Sequence, residues 1–325
     1  MKYVDRIMLG GYNIILHSDT ENCFDVFLQK EYCISETEPM KSINIYSVIK
    51  KDVVKNVIYE SKKIRCENYN IYISKRESGP KGLIIEKINR GTICGYMIFS
   101  EDVNSQLTLI RSVLIKLFFY SYTQIGAYPI HCASMCYKGN SYLFIADSNG
   151  GKSSVYFSFA SYSNSTNYLL MGDDTILCRV KGESIVGSVM PLKPSLRKGT
   201  MDHVPPTNCF RTQFEHGFNM DDQIYVDIKK LKNSNIVLES KIKAAFFLNF
   251  SDTFGIVEVN DLQMLKKKLA IIISGYKATP VNEQFLDFLN KIVTNIRFYD
   301  IYIPPNMKDF YDEFDTWLDT NGGSK

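Results

Sequence analysis

The segment Tyr142–Ser154, YLFIADSNGGKSS, constrains the fold more than any other stretch of the chain. The apolar run YLFIA has the composition of a buried strand and stops at the small polar and glycine residues Asp147 to Gly151. Lys152, Ser153 and Ser154 follow at once, and VYFSFA continues as a helix candidate. Strand, glycine turn and helix is the local plan of a phosphate-binding loop. Its backbone N–H groups turn inward around oxygen atoms, and the positive end of the helix dipole faces the same point. Ser148, Asn149, Gly150 and Gly151 would form the cradle, with Ser154 at its rim. Lys152 would reach the outer phosphates and the Ser153 hydroxyl would ligate magnesium. The first glycine usual in such loops is replaced by Ala146. At a strand end, with negative φ, one extra methyl is expected to be tolerated.

Two further features stand at suggestive distances. The apolar run YLLM (168–171) ends at Gly172-Asp173-Asp174, about twenty residues past the lysine. Adjacent carboxylates at a strand end suit two tasks, holding a divalent cation and accepting a proton from an attacking hydroxyl. Gly-Asp-Asp is also good turn chemistry. Upstream, His131 lies in IHCASMCY, which is separated from SYLFIA by the hairpin signal Lys138-Gly139-Asn140. Antiparallel pairing across that turn would bring His131 near the loop, where it could meet a phosphate or orient an aspartate.

Taken together, PIHCASMCYKGNSYLFIADSNGGKSSVYFSFA and YLLMGDD resemble the catalytic core of the HPr kinase/phosphorylase family, over about 50 residues, 128–177. The resemblance implies an α/β fold with a P-loop core of the type shared with ATP-dependent phosphoenolpyruvate carboxykinase, preceded by a mostly β N-terminal domain. It implies ATP and Mg2+ as cofactors. It also implies Asp173 as general base, Asp174 as a metal-side carboxylate, Lys152 and Ser153 on phosphates and metal, and His131 as partner of the base or phosphate. Two departures point away from HPr itself as acceptor. Ser154 replaces an acidic residue, and only VGSVMPLKPSLRKG (186–199) stands where a longer glycine-rich signature is expected. The chain looks more similar to divergent relatives found beside ribosomally made peptides, which phosphorylate a serine of a precursor peptide. Lys193, Arg197 and Lys198 would then meet phosphates or an acidic peptide end, with Arg197 the substrate-contact candidate, or lie on a solvated loop. The expectation is a kinase acting on a Ser or Thr hydroxyl of a peptide or protein. A nucleotide-binding regulatory module without transfer chemistry and a small-molecule kinase are the alternatives. The resemblance also allows a homo-oligomer.

At 325 residues the chain predicts two units. Residues 1–102 read as a β-rich domain, 103–127 as a connecting helix and 128–320 as the P-loop domain. In the first, YNIIL, FDVFL, INIYSVI, YNIYI, GLIIEKI and TICGYMIF read as successive antiparallel strands. An exposed strand edge there would be a place for a peptide to dock. In the second, a strand is expected at 244–250, helices near 261–274 and 281–296, a strand at 297–303 and a terminal helix near 307–318.

Thirty-eight Lys and Arg against 35 Asp and Glu give a net charge of +3, with no basic stripe of the kind nucleic-acid binding requires. The run Lys266-Lys267-Lys268 reads as a solvated helix face. The most lipid-like segment, 107–126, is interrupted by Arg111 and Lys116 and reads as a buried helix, so no membrane partner is expected. The eight cysteines fit no common zinc spacing and read as reduced core thiols, and no signal peptide is evident, so a cytoplasmic protein is expected.

Overall fold

The computed structural model describes residues 2–9, 12–28, 41–50, 63–66, 68–75, 81–90, 92–123, 125–163, 167–216, 223–231, 235–274 and 282–322. The protein is mixed α/β and divides into two compact units. The first comprises Met1–Ser121 with Pro191–Lys193 and Phe218–Asp221; the second comprises Tyr122–Met190, Pro194–Gly217 and Asp222–Lys325.

The first unit contains β1 (Tyr3–Leu9), β2 (Tyr12–Ser18), β3 (Lys41–Ile49), β4 (Lys63–Cys66), β5 (Tyr69–Lys75), β6 (Lys81–Asn89), β7 (Thr92–Ser100) and the helix α1 (Val103–Thr123). Its strands form one sheet in the order β1-β2-β3-β7-β6-β5-β4. The strict buried/half-buried alternation of β2 marks a sheet with one face in the core. Ile14, Leu16, Ile43, Ile45 and Ile98 are buried in the sheet, and Ile110, Val113, Leu114 and Leu117 in α1. The helix lies close against β6. A Cβ at Gly82 would collide with Leu109, and Lys116 on α1 reaches Glu86 on β6 at 2.5 Å. The 107–126 segment is thus largely a core helix, and among the described residues no helix is long and apolar enough to cross a membrane.

Two expectations for this unit are corrected. FDVFL does not form a strand. Cys23–Val26 is a 3-10 turn, because the Asp25 N–H closes onto the Asn22 carbonyl and Asn22 is left-handed, with φ of 53°. The sheet is also not wholly antiparallel, since β2–β3 and β3–β7 are parallel joins. Pattern within a strand shows which face is buried but not which neighbour it meets or in which direction.

The second unit contains β8 (Tyr128–Tyr137), β9 (Asn140–Ile145), α2 (Lys152–Tyr162), β10 (Tyr168–Leu170), β11 (Thr175–Lys181), β12 (Ser184–Val189), β13 (Ser195–Arg197), α3 (Lys198–His203), α4 (Arg211–His216), β14 (Gln223–Tyr225), β15 (Glu239–Phe250), β16 (Gly255–Glu258), α5 (Leu262–Ser274), α6 (Glu283–Asn295), β17 (Arg297–Ile303) and α7 (Met307–Asn321). The hairpin β8–β9 turns at Lys138 and Gly139, both with positive φ. β9, β15 and β17 run parallel, and β8, β9, β15, β12 and β11 close a circuit of paired strands.

The parallel strands are covered on both faces, which explains their nearly continuous apolar runs. Tyr142, Phe144, Phe246, Tyr299 and Ile301 face one cluster with Phe159 of α2 and Phe310 and Phe314 of α7. The intervening Leu143, Ile145, Ala245, Phe247 and Phe298 face a second cluster with Leu265 and Leu269 of α5 and Phe285, Phe288 and Ile292 of α6. Asparagine side chains cap the N-termini of two of these covering helices, Asn282 accepting from the Phe285 N–H and Asn306 from the Lys308 N–H, each at 2.9 Å. The consequence for function is positional. Three parallel strands end at one edge, where chain segments leave the sheet and can meet a ligand.

The thiol reading is corrected in part. Cys23, Cys132, Cys136 and Cys178 are buried free thiols, whereas Cys94 and Cys209 are exposed. The side chains of Cys33 and Cys66 lie outside the described residues.

Candidate functional site

At that edge the loop following β9 forms as the sequence predicts, and its geometry accounts for Ala146. The Gly150 N–H donates to the Asp147 carbonyl at 3.0 Å, folding the loop back toward its own start. Asn149 and Gly151 take left-handed conformations, with φ of 64° and 87°, and α2 begins at Lys152. A Cβ placed on Gly150 would stand 2.6 Å from the Ala146 methyl. Ala146 is therefore accommodated because its neighbour across the loop has no side chain. No side chain caps the N-terminus of α2 and no acidic residue occupies its first turn, so its leading N–H groups face the cleft without a built-in anion.

Lys152 is buried at 7 % exposure, and its ammonium donates to the Ala146 carbonyl at 2.9 Å and the Asp147 carbonyl at 2.7 Å. Burial pushes its pKa down, while the carboxylates of Asp174, Asp173 and Asp147 favour the charged form. The lysine is thus tied to the start of its own loop.

Gly172-Asp173-Asp174 is not a reverse turn. It links β10 to β11 while running along β8, whose Ser134 and Cys132 N–H groups donate to the Gly172 and Asp174 carbonyls at 2.8 and 3.1 Å. This pins both carboxylates beside the loop. Asp173 is 8 % exposed, and its Oδ2 accepts from the Ser195 N–H at 2.9 Å and the Ser195 hydroxyl at 3.4 Å. Its Oδ1 is fully buried, and the Ser153 side chain also acts on this carboxylate as a hydrogen-bond partner. Burial foremost, then the negative charge of Asp174, pushes the Asp173 pKa up to about 7, against the pull of the Ser195 and Ser153 groups. Asp174 is half exposed and lies 3.3 Å from Nδ1 of His131, whose backbone pairs with Thr175 in the adjoining strand.

Arg197, at the end of β13, donates from Nη1 to Oδ1 of Asn149 at 2.6 Å. The short β13–β14 pair thus supplies both Ser195 to the aspartate and Arg197 to the loop. Lys193 is instead held by the first unit, where its N–H donates to the Phe27 carbonyl at 2.7 Å and its ammonium to the Asp25 carbonyl.

His131, Ser148, Asn149, Gly150, Gly151, Lys152, Ser153, Ser154, Asp173, Asp174 and Arg197 all line one cleft of about 930 Å3 in the second unit. The cleft also takes in residues that sequence reasoning did not single out: Ser195, His203, Phe250, Ser251, Asp252, Pro304 and Pro305. Phe250 closes the run AAFFLNF, and a polar Ser-Asp pair after a buried strand was the one signal that this end faces a ligand. Among the described residues no group of three or more His, Cys, Asp or Glu side chains could hold a metal by itself. A magnesium ion needs fewer protein ligands, because it keeps several waters. The Ser153 hydroxyl and the carboxylates of Asp174 and Asp173 are hard oxygen donors of the required kind and line the same cleft.

No known protein family matches the chain, and no curated protein matches its sequence. Among solved structures the chain is similar to the HPr(Ser) kinase/phosphatase from Coxiella burnetii, at 13% identity and a TM-score of 0.28, over 54% of this chain and 85% of that one.

Proposed function

We propose that this protein is a magnesium- and ATP-dependent kinase that phosphorylates a Ser or Thr hydroxyl of a peptide or protein. The observation that supports it best is Asp173. A buried carboxylate with its pKa pushed up to about 7, anchored by Ser195, stands in the same cleft as an uncapped helix N-terminus and a buried lysine. A general base works best when its pKa lies near the operating pH.

In the proposed reaction the acceptor hydroxyl gives its proton to Oδ1 of Asp173 as its oxygen bonds to the terminal phosphorus and the bond to the leaving oxygen breaks. Ser195 holds the opposite carboxylate oxygen and so fixes the orientation of the base. The loop N–H groups and Lys152 take up negative charge on the transferring group and on the departing diphosphate. Lys152 must first exchange the Ala146 and Asp147 carbonyls for phosphate oxygens. Magnesium, held by Ser153 and Asp174, would neutralise charge between the outer phosphates. His131 orients Asp174, and Arg197 steadies the loop through Asn149.

The direct test is incubation with terminally labelled ATP, magnesium and a library of Ser- and Thr-containing peptides, read by mass spectrometry. Phosphopeptides are expected with the wild type and none with Asp173→Asn, which should still bind ATP. Saturable ATP binding without transfer to any hydroxyl would instead establish a regulatory nucleotide-binding module.

A further inference from the structure

The phosphate cradle explains only one part of the cleft. Beside it stands Phe250, the last residue of β15, with 70 % of its surface exposed although it is an aromatic side chain at the end of a buried strand. Its ring tip borders the loop, since a Cβ on Gly151 would lie 3.3 Å from Cζ and 3.5 Å from Cε1. Phe250 is paired in register with Ile303 of the parallel strand β17, and Pro304 and Pro305 follow directly. The Ser251 N–H donates to the Ile303 carbonyl at 3.1 Å, which ties the two strand ends together. The cleft therefore has an anion-accepting part at the loop and, next to it, a part lined by one aromatic ring and two prolines together with Ser251 and Asp252.

We propose that Phe250 is the stacking platform for the base of the nucleoside triphosphate donor. This rests on the kinase reading of the same cleft and names the residue that meets the donor's base. An exposed ring adjoining a phosphate cradle suits a flat heteroaromatic group, because stacking gives affinity without demanding a particular hydrogen-bond pattern. Inorganic tri- or pyrophosphate has no apolar part to place there. Because the ring is largely exposed and terminates its strand, its removal leaves both core clusters of the second unit intact.

The test is calorimetric titration of MgATP and magnesium tripolyphosphate into the wild type, Phe250→Ala and Phe250→Trp. Phe250→Ala should weaken MgATP binding about 10-fold or more, the loss expected of one base–aromatic stack. Tripolyphosphate affinity should stay within about 2-fold of the wild type, and Phe250→Trp should retain wild-type MgATP affinity. Equal losses for both ligands, or unchanged MgATP affinity in Phe250→Ala, would overturn the stacking role while leaving the phosphate cradle standing. A Phe250→Ala variant that kept MgATP affinity but lost peptide phosphorylation would reassign the ring to the acceptor and equally overturn it. Wild-type protein that bound neither ligand would overturn the kinase reading and this inference with it.

Discussion

Replacing Asp173 by Asn separates the two consequences of burying that carboxyl group. Its pKa rises from an ordinary 3.8 to about 7 in the folded protein. Between those values the folded state holds a proton that the unfolded chain releases. By linkage, Asp173 leaves stability untouched below pH 4 and erodes it progressively up to pH 7. A difference of about three pKa units corresponds to ~4 kcal/mol above pH 7, roughly 2–3 kcal/mol of which accrues between pH 5 and pH 8. Asn keeps an oxygen to accept from the Ser195 N–H but cannot ionise, so Asp173→Asn should gain on the wild type by that amount over this range. Any cost of the new NH2 group is common to both pH values and cancels. The chain has one tryptophan, Trp317, which packs against Phe246, Tyr299 and Phe314 in the second unit. Urea unfolding followed by its fluorescence thus reports the unit that holds the cleft, without assuming that both units unfold together. Transfer should be lost in the same variant. In the wild type the rate should climb nearly tenfold per pH unit below about 7 and level off above it. A stability gap that does not change between pH 5 and pH 8 would refute the buried-charge argument; full-rate transfer by Asp173→Asn would refute the base assignment.

Gly150→Ala should weaken nucleotide binding and lower stability by about 1–3 kcal/mol, because its methyl would meet that of Ala146 at 2.6 Å and the Asp147 carbonyl at 3.0 Å; the double variant with Ala146→Gly should recover part of both losses in the same urea and titration measurements, the Asp147 carbonyl still crowding the methyl. Arg197→Ala should raise the KM for ATP several-fold with a smaller effect on kcat, since it removes the hydrogen bond to Asn149; an unchanged KM would dissociate Arg197 from the loop. In the first unit, Lys116→Met should cost about 1–2 kcal/mol, because Glu86 loses its cation but keeps its hydrogen bonds from Asn70 and Tyr96, and Lys116 is itself partly exposed. Burial pushes the Glu86 pKa up, but Lys116, Asn70 and Tyr96 outweigh it and hold it below the usual range. The stabilisation is therefore present above about pH 4.5 and lost as pH falls through the lowered value, so the Lys116→Met penalty should shrink in acid.

What could be read without coordinates was local. YLFIADSNGGKSS specified its strand, its glycine turn and the start of its helix, because each depends on apolar alternation, on residues that tolerate positive φ and on hydrogen bonds a few positions apart. The β8–β9 hairpin was legible for the same reason, through Lys138-Gly139. The aspartate pair was legible as chemistry but not as geometry. Only its course along β8 shows that it is no turn, and only burial under the β13 segment sets the pKa of Asp173. FDVFL shows the opposite failure, where a β-like composition yields to a turn closed by Asn22. Ser195, Phe250 and the two prolines could not be assigned from sequence, since they reach the cleft through pairings between strands about 30 to 100 residues apart. Such contacts depend on which strands neighbour one another and in which register, and a single chain's local pattern does not encode that. Sequence alone determined that a strand, a glycine turn and a helix carrying Lys152, two adjacent carboxylates and a histidine were present. Tertiary structure decided that they share one cleft, that one carboxylate is buried there and that an aromatic ring stands exposed beside the loop. Burial and proximity arise only when distant segments close on one another.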